Sequence, residues 1–105
     1  MMGGGADFLM EKSRGGMRED GMNIDVEWSK LGGSRRVLGD KGDLQDVTAS
    51  SEKLLGVFAG SHLPMYLEQQ MAGSKSVPRL SEMTAKAIEQ LQHDDKGFFL
   101  MVEGE

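Results

Sequence analysis

Phe98 to Val102 is the stretch that most constrains this chain. Five apolar residues run without a break, and Glu103 and Gly104 follow at once. An apolar run that short and continuous suits a strand covered on both faces, as in a parallel sheet. Open α/β sheets hold their ligands in the crevice beyond the carboxyl ends of the strands. A carboxylate at that spot can face the crevice, and a glycine after it leaves space for a ligand or metal. Glutamate is a hard oxygen donor suited to Mg²⁺. Glu103 is therefore the candidate metal ligand.

The residues before this run predict an α→β unit. Pro78 to Gln92 reads as a helix, with Pro78 in the first turn and Leu80, Met83, Ala87, Ile88 and Leu91 on one apolar stripe. Glu82 and Lys86 are spaced for an i,i+4 ion pair. Asp94 to Gly97 turns the chain into the final run. A second strand is expected at Leu54–Ala59. If both strands share a sheet, the helix between them makes a right-handed β-α-β crossover.

Other elements are shorter. Asn23 to Leu31 reads as a helix, with Asn23 as N-cap, Ile24, Trp28 and Leu31 at helical spacing, and Asp25 and Glu27 in the first turn. Arg36 to Leu38 suits a short strand, and Asp40 to Asp43 a turn before an acidic helix start. Residues 13–22 and 68–76 read as loop or linker. Asp40, Asp43 and Asp46 lack the alternation of a calcium loop. His62 and His93 have no second donor at ligand spacing, and zinc needs three or four. Both read as exposed. Arg14 and Arg18 read as solvated loop arginines balanced by Glu19 and Asp20, not as a phosphate grip.

Size and charge bound the function. At 105 residues the chain is at most one small domain. A net charge of −5 argues against nucleic acid as a partner. No cysteine is present, so there is no disulfide framework and no thiolate site. No run approaches the ~20 apolar residues of a membrane-spanning helix. Met1 to Asp7 lacks the basic and apolar regions of a signal peptide.

Several stretches also carry a family resemblance. Gly97 to Gly104 resembles the strand of alkaline phosphatases whose terminal Glu binds the site magnesium. Ser76 to Glu89 resembles the helix before that strand, and Leu54 to Ala59 an earlier core strand. Arg18 to Asn23, with Trp28 following, resembles the segment before that, and Met2 to Gly5 a glycine-rich strand end. The order agrees and spans nearly all of the chain. The resemblance implies a partial three-layer α/β fold over residues 1–105, with a few mainly parallel strands, flanking helices and an incomplete sheet. It implies an internal fragment of a phosphate monoester hydrolase that acts through a phosphoseryl intermediate, with two zinc ions and one magnesium. Only Glu103 matches a metal ligand, for Mg²⁺. The nucleophile and the Zn²⁺ ligands are expected outside this chain, so the isolated chain is expected to be inactive. Glu105 departs from the family, which has a small residue there. The resemblance further implies a homodimeric parent in the periplasm, outside the cell or on the outer membrane surface.

Two alternatives stand beside this reading. One is a small acidic α/β module that binds a partner through exposed helix and strand edges and catalyses nothing. The other is a different metal-dependent phosphatase, phosphomutase or sulfatase of the same broad fold. The flanking gene sequence separates the first. The Asp20–Asn23 and Pro78–Glu89 matches weigh against the second.

Overall fold

The computed structural model describes residues 1–48, 52–73 and 75–104. Its sheet has three strands: β1 (Met2–Gly3), β2 (Arg35–Leu38) and β3 (Lys53–Val57). β3 lies in the middle and pairs in parallel with both neighbours, Met2 opposite Gly56 and Val37 opposite Leu55. Leu55 and Val57 are buried on this central strand, which has a paired neighbour on each edge. The expected strands at Arg36–Leu38 and Leu54–Ala59 are thus present with shifted ends, and the fold is the partial α/β sheet expected.

Helix α3 (Lys41–Asp46) carries the chain from β2 back to β3. It starts where Asp40 caps it, its carboxylate accepting from the Asp43 amide at 2.8 Å. Leu44 and Val47 turn inward and meet Leu38, Phe58 and Met83 in the core. Helix α5 (Leu80–Leu91) supplies Met83 to that core. It is also fastened to the end of α3. Lys86 Nζ donates to the Val47 carbonyl at 2.9 Å, and Gln90 Nε2 to that of Thr48 at 2.8 Å. Carbonyls near the end of one helix, which lack partners of their own, are thus satisfied by side chains of another.

Four expectations need correction. The expected Glu82–Lys86 pair does not form. Glu82 instead meets Lys41 at 2.7 Å, and Lys86 meets Glu89 at 3.4 Å. Tertiary partners outcompete a pair that is worth little on an exposed helix face. Helix α5 begins at Leu80, not Pro78; Pro78 is fully buried, and the Glu82 carboxylate accepts from the Arg79 amide at 2.8 Å to cap the first turn. Residues 68–76 are not all linker, because α4 (Tyr66–Ala72) occupies much of that span. It has one buried side chain, Gln69, whose amide donates to the Val77 carbonyl at 2.7 Å. Asn23 stands before α2 (Ile24–Ser29) but its side chain does not cap it. Its oxygen accepts from the Glu11 amide and from Arg14 instead, at 3.1 and 3.0 Å.

The fifth correction is the largest. Phe98–Val102 is not a strand of the sheet. Phe99 is 88 % and Met101 77 % exposed. The crossover from β3 through α5 to that segment is accordingly not formed. An apolar run becomes a strand only beside a neighbour that takes its hydrogen bonds. Among the described residues β1, two residues long, pairs only with β3. The Cα radius of gyration of 14.5 Å exceeds the roughly 13 Å of a tightly packed chain of this length.

Candidate functional site

The strand exits are laced together. Beyond β1, the amides of Gly5, Ala6 and Asp7 donate to the carbonyls of Ser61, Ala59 and Gly60 at 2.8–2.9 Å. This joins α1 (Ala6–Leu9) to the loop that follows β3. Gly4 permits the close approach: a Cβ there would overlap the Ser61 carbonyl oxygen. His62 and Leu63 continue this loop and form one wall of a cleft of about 860 Å³.

Glu103 lines the same cleft. Two features carry it there. Gly97 takes φ +91° to close the turn after α5, where the Asp94 carboxylate accepts from the Lys96 amide at 2.9 Å. At the other end, Gly104 lies against Leu80, so close that an added Cβ would come within 2.9 Å of its Cδ2. Between these points Leu100, Met101 and Val102 line a second, more apolar cavity of about 890 Å³, together with Met2, Leu54 and Met83. Glu103 borders both cavities.

The Glu103 side chain is exposed and, among the described residues, has no hydrogen-bond or ion-pair partner. Its lone pairs are available to a cation. A hard oxygen donor is the right chemistry for Mg²⁺, but magnesium requires six ligands in near-octahedral array. Among the described residues, no group of three or more His, Asp or Glu side chains could hold a metal. The residues present therefore do not make up a Mg²⁺ or Zn²⁺ site. His62 lines the cleft without a second nitrogen donor there, and His93 is exposed in the turn after α5. Asp40 and Asp43 spend their carboxylates on backbone amides of the α3 turn.

Sequence reasoning did not single out Tyr66 and Arg79. The Arg79 guanidinium stacks over the Tyr66 ring at 4.3 Å, and both line the cleft with Glu103. Only the fold, which brings the start of α4 against the start of α5, pairs them. Glu82, beneath Arg79, is held below the usual carboxylate range by the Lys41 ammonium first and the Arg79 amide second.

Arg14 and Arg18 make no anion grip. Arg14 forks onto Asp25 at 2.9 and 3.0 Å, and this bond holds the largely buried Asp25 carboxyl low. Arg18 pairs with Asp20, and Lys12 with Glu19 at 3.0 Å. Among the described residues no helix is long and apolar enough to cross a membrane. Glu105 lies outside the described residues.

The sequence profile of the alkaline phosphatase family matches residues 1–105. The chain belongs to the alkaline phosphatase family. The membrane-bound alkaline phosphatase of Bombyx mori is 38 % identical over 97 % of this chain and 20 % of its own length. Alkaline phosphatase 3 of Bacillus subtilis is 34 % identical over 99 % of this chain and 19 % of its length. The alkaline phosphatase of Gadus morhua is 31 % identical over 99 % and 24 %. The chain thus spans about a fifth to a quarter of the length of these relatives.

Proposed function

We propose that this chain is part of a phosphate monoester hydrolase and that Glu103 is one oxygen ligand of its magnesium. The observation that carries this reading is the match of the whole chain to the family, with Glu103 at the end of the apolar run that resembles the family's magnesium-ligand strand. A carboxylate on the wall of a cleft, without a partner among the described residues, supports it. The phosphoseryl intermediate and the zinc ions belong to the whole enzyme. This chain's own part is to hold one carboxylate at the rim, set by Gly97 on one side and by Gly104 against Leu80 on the other. The whole protein is read as a homodimer outside the cytoplasm, in the periplasm, extracellular or on the outer membrane surface.

The test has two arms. The purified chain, supplied with Mg²⁺ and Zn²⁺, is expected to leave a chromogenic phosphate ester intact; measurable hydrolysis refutes the assignment of the nucleophile to other segments. The chain is then grafted in place of the matching segment of Bacillus subtilis alkaline phosphatase 3. The graft is expected to hydrolyse the ester, and Glu103→Gln to lower its rate and weaken its response to added Mg²⁺. An unchanged Mg²⁺ response in the active Glu103→Gln graft refutes the ligand role.

A further inference from the structure

We propose that Asp20 is a latent isoaspartate site and that Arg18 holds it unreacted. Asp20–Gly21 is the one Asp-Gly pair in the sequence. The turn itself demands the second residue of that pair, because Gly21 takes φ +71°, a backbone conformation that side chains disfavour. The same missing side chain leaves the Gly21 nitrogen open to the carboxyl of the residue before it. A glycine that serves the fold thus exposes its neighbour to ring closure.

Two partners hold the Asp20 carboxylate off that path. Its Oδ1 accepts from the Met22 amide at 3.0 Å, so it reaches past Gly21 to the next residue along. Arg18 Nε donates to the same oxygen at 3.0 Å, and Arg18 Nη2 donates to Oδ2. Arg18 is itself anchored: its amide donates to the Met10 carbonyl at 3.0 Å, and its Nη1 to that of Phe8 at 3.3 Å. The guanidinium first, and the Met22 amide second, keep the Asp20 carboxyl below its usual range. An ionised carboxylate resists attack by a nitrogen nucleophile. All of these bonds lie within residues 8–22, and none involves the run at 98–104.

The reaction needs only water. The Gly21 nitrogen bonds to Asp20 Cγ, and one carboxyl oxygen leaves as water with its own proton and the amide's. The cyclic imide then takes up one water. Opening at Cγ restores aspartate. Opening at the main-chain carbonyl carbon leaves the peptide link on the side chain and lengthens the backbone by one carbon. The extra carbon falls between Arg18 and Asn23, whose side-chain oxygen accepts from the Glu11 amide at 3.1 Å and from Arg14 at 3.0 Å. That tie is then out of register.

The test is incubation of the protein at its natural length near neutral pH. Digestion and electron-transfer mass spectrometry then tell isoaspartate from aspartate at position 20. Arg18→Ala is expected to convert at least about fivefold faster than the parent, since both charged hydrogen bonds are lost. Lys12→Ala is the control. It removes a cation from the same loop, breaks the Lys12–Glu19 pair and leaves Asp20 gripped, so it should convert at the parental rate. Where circular dichroism shows Arg18→Ala unfolded, Arg18→Lys takes its place. That variant keeps the charge but loses the two-pronged grip, and should convert at least about twofold faster than the parent. An Arg18 variant that converts at the parental rate overturns the proposal, as does equal acceleration by Lys12→Ala. Neither outcome depends on Glu103 binding a metal.

Discussion

Lys86 offers the sharpest test of how the helices are held. Its ammonium reaches the Val47 carbonyl at 2.9 Å, and its side chain is 15 % exposed. A hydrogen bond from a charged donor is worth about 1.5–3 kcal/mol. The contact with Glu89 is 3.4 Å long to a side chain that is 44 % exposed, so it adds only about 0–0.5 kcal/mol. Lys86→Met keeps most of the aliphatic stem and removes the charge. Water can partly replace the donor at Val47, so the loss is set toward the low end, about 2 kcal/mol. For a chain of this size that lowers Tm by about 9 °C. Urea unfolding at neutral pH, read by circular dichroism, measures it directly. Glu89→Gln is the control and should cost no more than about 0.5 kcal/mol. A loss for Lys86→Met no larger than the control's would refute the claim that the end of α3 is satisfied from α5. A double-mutant cycle adds a further check: Lys41 and Glu82 should couple, while Glu82 and Lys86 should not.

Two other outcomes follow from the geometry. The folded Glu82 carboxyl is depressed below its ordinary 4.5, so its contribution is complete above that pH and is lost as pH falls through the folded value. Glu82→Gln should therefore lower stability at neutral pH and flatten the loss of Tm on acidification below about pH 4.5; an unchanged acid slope would show that the Lys41 pair is irrelevant. Gly4→Ala should cost about 1–3 kcal/mol by pushing the Ser61 carbonyl away, while Gly3→Ala, with nothing within 4 Å of the new Cβ, should cost far less. Equal urea midpoints for the two variants would contradict the close approach of β1 to the loop after β3.

How much of this was legible depends on where each element's partners lie. β3 and α5 announce themselves because their periodicity matches what they bury, Leu55 and Val57 in one and Met83 in the other. Helix α4 was hidden because its apolar residues face out. Tyr66, Leu67 and Met71 are 56, 64 and 81 % exposed, and the buried side chain is a glutamine. The final run misled for the opposite reason. Its composition is that of a buried strand, yet composition does not supply the neighbouring edge a strand needs. At the site, a single carboxylate was readable from its place after an apolar run and from family resemblance. The Tyr66–Arg79 stack was not, since no spacing rule joins residues at the starts of two different helices.

Lys41 bonds at both of its ends. Its amide donates to the Ser76 carbonyl at 2.7 Å, and its ammonium meets Glu82 at 2.7 Å. One residue thus pins the short crossover helix to the approach and the first turn of the long one. Sliding either cylinder past the other by a single turn would break both attachments at once. The layer over the sheet is therefore built to tilt or detach as a plate rather than to creep.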